Sequence, residues 1–276
     1  MKLLKVFLII ILFSILTLFT QIGGVVLMLS MLTHKLTDKW ASNKYLKSLY
    51  RFASFLILYC IATFLIVPLI AKPFGRVALP ITETNHLKPL NILTCILNRN
   101  YVKKDLKQVA FDVAKQMNQK YPGTKINYLE ANFPFIDGFK LFPHLSHDDG
   151  KKLDVAFCYI DANSKESTNE CPSFIGYGIC EEPKSGEINY TNLCEDQGYW
   201  QYGLLSKIIS QENKKQFIFN QFKTKELVNL FAQQNAIGKI FIEPHLRNRL
   251  GLNSSKVRFH GCQAVRHDDH IHVQLK

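Results

Sequence analysis

Two long uncharged runs constrain this 276-residue chain more than any other feature. Residues 6–33 contain no charged side chain, and residues 52–71 form a second uncharged run. A helix needs about 20 apolar residues to cross a bilayer, and both runs reach that length. The sequence therefore predicts a two-helix transmembrane hairpin over residues 1–72, with spans of about 6–30 and 52–71.

A cleaved signal peptide is the alternative explanation for the first run. Lys2 and Lys5 precede an apolar stretch, as they do in signal peptides. No small-x-small cleavage site follows, however, and the apolar run continues through Leu32. We therefore expect a membrane span here, and Pro68 in the second span is tolerable as a kink.

The segment between the two runs is basic and predicts the orientation. This segment contains one acidic residue, Asp38, and five basic residues: Lys35, Lys39, Lys44, Lys47 and Arg51. Short loops rich in Lys and Arg remain in the cytoplasm. We therefore expect this loop inside and both termini outside, which places the rest of the chain in the periplasm of a bacterium, anchored to the inner membrane.

The net charge of +12 is mostly part of this topology signal. Residues 1–72 hold eight Lys or Arg and one Asp, so +7 of the charge falls there and only +5 in the remainder. No patch of cations interleaved with aromatic residues is present in the sequence. The composition therefore predicts a membrane partner and no nucleic acid.

Cysteine usage fits an exported domain. Cys60 lies in the second apolar run, and six others follow it: Cys95, Cys158, Cys171, Cys180, Cys194 and Cys262. An even number of cysteines in an oxidising compartment predicts disulfides, here three, with the pairing left open. Buried free thiols are the alternative.

The rest of the chain alternates irregularly between helical and strand patterns. Residues 73–100, with three prolines, are predicted to be a connector, and residues 101–276 a folded domain. Helices are expected over 102–120, 224–234 and 244–250, strands over 125–129, 153–160, 217–220, 239–243 and 270–275, and an irregular insertion over 161–200. This order predicts an α+β fold with a small, mainly antiparallel sheet and flanking helices.

Histidines are concentrated in two short polar segments that suit a zinc site. His147 lies in a loop seven residues before Asp154, which opens an apolar strand. His270 and His272 alternate about Ile271 in a predicted strand, so their imidazoles face the same side. Two imidazoles and one carboxylate leave an open position on zinc, which lowers the pKa of bound water to about 7. A lone His is usually a surface or core residue, but five of the nine histidines fall in these two segments.

These segments resemble penicillin-insensitive murein endopeptidases, zinc peptidases of the group that includes D-Ala-D-Ala dipeptidases and the hedgehog signalling domain. The resemblance covers about residues 105–276. The motifs that carry it are His144-x-x-His147-x6-Asp154, the strand Lys239–Glu243 followed by Pro244, and His267-Asp-Asp-His270-Ile-His272-Val273.

The resemblance implies a role for each motif residue. His147, Asp154 and His272 would bind zinc, and His270 would lie beside the metal without being a ligand. His267 and His144 would be further active-site histidines that move protons or support the ligands. Most of the neighbouring acids, Asp148, Asp149, Asp268 and Asp269, are expected to be solvated loop residues, with one or two orienting an imidazole.

Two departures from the group bear on substrate. The dipeptidases carry a glutamate base just before the His-x-His, where this chain has Asp268 and Asp269. This difference favours an endopeptidase that cuts peptidoglycan crosslinks between D-alanine and the side-chain amine of a diamino acid. Members of the group are usually soluble, whereas this chain is expected to be anchored. A cell-wall carboxypeptidase or dipeptidase, and a non-catalytic zinc-binding envelope protein, are the alternatives.

Overall fold

The computed structural model describes residues 2–276, which form a set of apolar helices followed by an α+β domain. Two stretches, Leu3–Thr20 and Lys44–Ile70, are long and apolar enough to cross a membrane. The helical segments are α1 (Lys2–Thr20), α2 (Gly23–Leu32), α3 (His34–Trp40), α4 (Lys44–Ile61), a π-helical turn (Ala62–Ile66), α5 (Val67–Ile70) and a 3-10 turn (Lys72–Phe74). We refer to residues 2–71, which include these two candidate spans, as the membrane helices.

The first apolar run is not the single helix expected from the sequence. Gln21 has a φ of 65° just after the end of α1, and α2 turns back along α1. A Cβ at Gly24 would lie 2.8 Å from the carbonyl oxygen of Phe13 and 2.1 Å from Oγ1 of Thr17, so only glycine permits this approach. Small residues allow such close contacts between membrane helices. Residues 6–33 thus form two antiparallel helices.

Helix α4 returns in the opposite direction to α2 and α3. Oγ1 of Thr33 and Oγ of Ser54 share a hydrogen bond of 2.7 Å, and Arg51 donates two hydrogen bonds to Asp38. The start of α1 and the turn between α3 and α4 therefore lie at the same end of the membrane helices. This corrects the expected layout, in which the start of the chain lay at the end facing the later domain. Lys5 joins the basic residues of the turn.

This layout gives a testable topology. We expect a cysteine placed at Leu3 and one placed at Ser42 to react with a membrane-impermeant thiol reagent from the same side of the membrane. A cysteine at the exposed Asn253, in the domain, should react only from the opposite side. Labelling of the unmodified chain, with its native cysteines, gives the background. Reaction of Leu3→Cys and Ser42→Cys from opposite sides would contradict the turn-back of α2.

A six-stranded sheet organises the domain. Its strands are β2 (Leu87–Pro89), β4 (Ile126–Tyr128), β5 (Lys152–Ala156), β9 (Ile237–Phe241), β10 (Val257–Arg258) and β11 (His270–Leu275). Their order across the sheet is β10-β9-β11-β5-β4-β2, and the central strand β11 is antiparallel to both β5 and β9. Two smaller antiparallel sheets pair β1 (Val77–Ala78) with β3 (Tyr101–Val102), and β6 (Tyr159–Asp161) with β7 (Ser167–Thr168) and β8 (Phe217–Phe219). The predicted α+β class is confirmed.

Helices flank the large sheet, as expected. They are α6 (Leu93–Ile96), α7 (Lys104–Lys120), α8 (Tyr190–Asp196), α9 (Leu204–Ile208), α10 (Gln221–Gln233) and α11 (Pro244–Arg249), with a 3-10 turn over Glu212–Gln216. Helix α7 has the predicted apolar face: Leu106, Val109, Val113 and Met117 are buried in the main core. Burying each such side chain contributes roughly 1.5–3 kcal/mol. Pro122 and Gly123 follow the helix and prevent its continuation.

Residues 73–100, expected to be a connector, are instead part of the folded domain. Strand β2 is an edge of the six-stranded sheet, and Leu79, Leu87 and Cys95 are buried in its core. Tyr101 packs with Ile22 of the membrane helices in a second apolar cluster. The membrane helices and the domain therefore meet through a packed interface.

One disulfide, rather than the expected three, is present among residues 2–276: Cys194 to Cys262. The other cysteines are free thiols. Cys95 illustrates why the even count misleads, since its buried Sγ lies 3.2 Å from the hydroxyl of Tyr128 and serves as a core side chain.

The Cys194–Cys262 bond fastens α8, in the insertion, to the segment before β11. It spans 68 residues, so loss of the bond should lower the free energy of unfolding by about 4 kcal/mol through loop-closure entropy. We expect the double variant Cys194→Ser/Cys262→Ser to melt at a lower temperature and to be cut faster by protease within residues 162–216. Cys60→Ser is the matched control. An unchanged melting temperature in the double variant would contradict this role.

Candidate metal centre

Pairing of β5 with β11 brings two predicted ligands together. The register places His272 opposite Asp154, so both side chains project from the same face of the sheet. His270 lies two residues earlier and shares that face. Ile271 points the other way and is fully buried in the main core. The alternation predicted from the sequence is thus present, and it presents both imidazoles to one site.

Three potential ligand atoms form a compact triangle. Nε2 of His147 lies 3.1 Å from Nδ1 of His272 and 3.2 Å from Oδ1 of Asp154, and the third side measures 2.8 Å. Ligands about 2.1 Å from a tetrahedral zinc ion lie about 3.4 Å apart, so small adjustments would fit the triangle to that ion. All three residues are buried. The group can hold a metal ion.

Neighbouring groups orient two of these ligands. Nδ1 of His147 donates a hydrogen bond of 2.6 Å to the carbonyl oxygen of Ala131, which leaves the Nε2 lone pair for a metal. The hydroxyl of Tyr177 donates to Oδ2 of Asp154 at 2.9 Å, leaving Oδ1 in the triangle. Such outer partners fix the direction of a ligand. Gly150, with a φ of 77°, turns the loop that joins His147 to β5.

The pKa shifts of Asp154 and His272 suit a cation, whereas, against the opposing effect of burial, Asp154 and Glu130 raise the pKa of His147. Burial would raise the pKa of Asp154, but the neighbouring His147 and His270 hold it well below its usual range. Burial lowers the pKa of His272 to about 4. A carboxylate and a neutral imidazole are the forms that bind metals. Burial and the nearby His270 and His272 also place the pKa of His267 well below its usual range, so this side chain is neutral.

His270 lies beside the triangle and is fixed by an acid. Its Nδ1 is 2.5 Å from Oδ1 of Asp269, and its Nε2 is 3.7 Å from Oδ2 of Asp154. Nε2 is buried and has no hydrogen-bond partner within residues 2–276. Because Asp269 occupies the Nδ1 side of the ring, Nε2 faces the centre. Burial would lower the pKa of His270, but the carboxylates of Asp154 and Asp269 raise it, so this imidazole is well suited to take up a proton.

The other two predicted histidines also reach the centre. The ring of His144 lies 6.0 Å from that of His270, and its buried Nε2 lacks a hydrogen-bond partner in the part of the chain that is described. The ring of His267 lies 5.0 Å from that of His270 and 5.6 Å from that of His272. All six side chains predicted from the sequence therefore gather at one place.

Two of the four neighbouring acids are buried, whereas the sequence suggested that most of the four are solvated and that one or two orient an imidazole. Asp268 is fully buried and accepts hydrogen bonds from Arg266, and Asp269 is 6% exposed and contacts His270. Asp149 pairs with Lys152 at the edge of the site. Charge partners inside the fold, rather than water, thus compensate the two aspartates nearest the histidines.

The insertion after β6 covers the centre. The ring of Tyr177 packs 4.5 Å from that of His144 and 4.9 Å from that of His270, and the amide of Gly178 donates to Oδ2 of Asp269. A small cavity of about 20 Å³ lies between these residues, Tyr202 and α9. The insertion therefore packs closely against the histidines on this side of the centre.

Three residues of the centre were not predicted from the sequence. Glu130 binds His144, Tyr177 binds Asp154, and the exposed His260 packs its ring 4.3 Å from Phe241 at the edge of the histidine cluster. None lies in a motif with characteristic spacing. The sequence offered one signal that could have revealed Glu130, because it is a single acidic residue within an otherwise apolar segment.

No protein-family model matches the sequence, and no curated protein matches it. The motif resemblance therefore remains an expectation. The centre itself contains a buried two-imidazole, one-carboxylate group and two further imidazoles with free acceptor nitrogens. Such an arrangement can bind a divalent cation and accept protons beside it.

Proposed function

We propose that this protein is a membrane-anchored zinc metallopeptidase that hydrolyses peptide crosslinks of peptidoglycan, as murein endopeptidases do. The observation that carries the proposal is the buried triangle of His147, Asp154 and His272, with the imidazoles of His270 and His144 beside it. The triangle supports a metal site, and the flanking imidazoles support hydrolysis. The motif resemblance supports the substrate class.

Zinc suits the triangle because two nitrogens and one oxygen form a common catalytic zinc set that leaves a position open. When bound, zinc supplies Lewis-acid chemistry, which polarises the scissile carbonyl and makes water more acidic. His147 and His272 would bind through Nε2 and Nδ1, the atoms that face each other in the triangle. Asp154 would supply Oδ1.

His270 is suited to general base catalysis. Asp269 fixes its ring and stabilises the imidazolium that forms when Nε2 accepts a proton. His144 has a similar arrangement, with Glu130 2.6 Å from its Nδ1 and a free Nε2. After taking up a proton at Nε2, the imidazole of His144 would deliver that proton to the leaving amine. His267, neutral and enclosed between the rings of His270 and Phe241, would hold these groups in place.

The membrane helices support a proposed location for the reaction. The basic end, with Lys5 and the turn between α3 and α4, would face the cytoplasm. The domain lies at the opposite end and would face the periplasm of the bacterial inner membrane, where peptidoglycan stem peptides are found.

The experiment is metal analysis and muropeptide digestion by the full chain in detergent. We expect one zinc per chain and loss of crosslinked muropeptide dimers, abolished by a chelator and restored by zinc. Loss of terminal D-alanine alone would indicate a carboxypeptidase or dipeptidase instead. Zinc without hydrolysis of any muropeptide would refute the peptidase.

The cover over the centre favours one alternative, a non-catalytic zinc-binding envelope protein. The six site residues are at most 5% exposed. An enzyme must admit a peptide, so the insertion has to open. A variant with Tyr177→Ala that still binds zinc and still cleaves nothing would support the non-catalytic protein, whereas hydrolysis by the unmodified chain would exclude it.

A further inference from the structure

A buried ion pair joins the membrane helices to one of the catalytic histidines. Arg99 donates a hydrogen bond of 2.7 Å to Oε1 of Glu130, and both side chains are less than 10% exposed. Oε2 of Glu130 lies 2.6 Å from Nδ1 of His144. On the other side, Nε of Arg99 donates at 3.3 Å to the carbonyl oxygen of Phe19, at the end of α1, and its guanidinium lies over the ring of Phe19.

The membrane helices also fix the backbone around Arg99. The side-chain amide of Asn98 donates to the hydroxyls of Tyr59 and Thr63 at 3.2 Å each. The hydroxyl of Tyr59 donates to the carbonyl oxygen of Ile96 at 2.7 Å. Asn98 has a φ of 57°, a conformation that costs energy and that these contacts maintain. Residues 96–99 are therefore positioned by α4 and the π-helical turn.

The same short segment supports a metal ligand. The amide of Ala131 donates to the carbonyl oxygen of Arg99 at 2.8 Å, and the carbonyl oxygen of Ala131 accepts the 2.6 Å hydrogen bond from His147. Residues 130 and 131 thus hold His144 and His147 while themselves being held by Arg99. Three consecutive contacts connect Phe19 to His144.

We propose that Arg99 and Glu130 are positioning residues, through which the membrane helices fix the imidazole of His144 for the reaction. The proposal rests on the function proposed above for its catalytic meaning. Its physical content, the direction of one imidazole, does not depend on that function.

Replacement of Glu130 by Gln tests the central contact. Glu130 accepts from Arg99 with Oε1 and from Nδ1 of His144 with Oε2, whereas Gln places an NH2 donor at one of these two positions. Either Arg99 or His144 then loses its partner. We expect Glu130→Gln to retain one zinc per chain, because the triangle is untouched, and to lower kcat about tenfold or more with KM unchanged, as loss of an outer partner does.

A spectroscopic readout separates positioning from mere stability. In the full chain labelled with ¹⁵N-histidine, the Nδ1–H of His144, assigned by its absence in His144→Gln, should give a hydrogen-bonded proton resonance. We expect that resonance to shift or vanish in Glu130→Gln and in Arg99→Met, and to be restored in part by Arg99→Lys. Lys104→Met removes a charge from an exposed position of α7 and is the control. An unchanged resonance in Glu130→Gln and Arg99→Met would overturn the proposal.

The membrane end is tested at Gly24, far from the histidines. Gly24→Leu forces α1 and α2 apart and so moves Phe19, whereas Val25→Leu adds volume on an exposed side of α2. We expect the His144 resonance to change in Gly24→Leu alone, with zinc retained. No change in Gly24→Leu would overturn the role of the membrane helices. If the unmodified chain cleaves no muropeptide, the proposed function fails, while these resonances still decide the positioning.

Discussion

Replacing His147 or His272 with alanine is expected to remove both the bound metal and the hydrolytic activity. Each residue supplies one of three ligands, so its loss leaves two, and the remaining buried carboxylate of Asp154 loses a partner. The loss of metal affinity should exceed the roughly 10–100-fold that removal of an outer partner costs. Zinc per chain is measured on purified protein after dialysis, and muropeptide hydrolysis is measured in parallel.

His34→Ala serves as the control for these variants, since His34 lies at the start of α3, away from the centre. It should keep full metal content and activity. Full zinc content in His147→Ala and His272→Ala would show that the triangle is not the metal site, and the proposed peptidase would fail with it.

His270→Ala is expected to keep the metal and lose the rate. His270 lies outside the triangle, and its Nε2 is a free acceptor fixed by Asp269, as a general base requires. General base catalysis contributes roughly 10²–10⁴-fold, so kcat should fall by that order with one zinc retained. Asp269→Asn, which keeps the imidazole but weakens its support, should reduce kcat less. If His270→Ala lost its zinc as completely as His147→Ala, the result would show instead that His270 is a metal ligand.

The parts of the site that sequence reasoning found are those with local periodicity. Strand β11 was predicted over the residues that form it, because alternation at His270 and His272 is a property of consecutive residues. Asp154 was predicted as a ligand because it lies seven residues after His147 at the start of an apolar run, although in the structure it is the middle residue of β5. The pairing of Asp154 with His272, across 118 residues, depends on sheet register, which no local pattern records.

Contacts between distant segments account for what was missed. Tyr177 lies in the irregular insertion. Its role depends on its contacts with His144 and His270, which are distant in sequence, so no local pattern could predict it. The count of cysteines did not reveal which thiols are core side chains. Hydropathy reports apolar length but not direction, so it predicts one span over about 6–30, whereas the chain turns at Gln21 and Gly24.

The packed junction around Tyr59, Asn98 and Tyr101 also sets how far this protein can reach. A catalytic domain on a flexible tether can sample a cell wall at many depths. Here the domain packs directly against the membrane helices, and a folded unit of about 200 residues is only some 40 Å across. For the function proposed above, the working zone would be a thin layer next to the lipid, and a strand of wall polymer would have to come close to the bilayer to be cut.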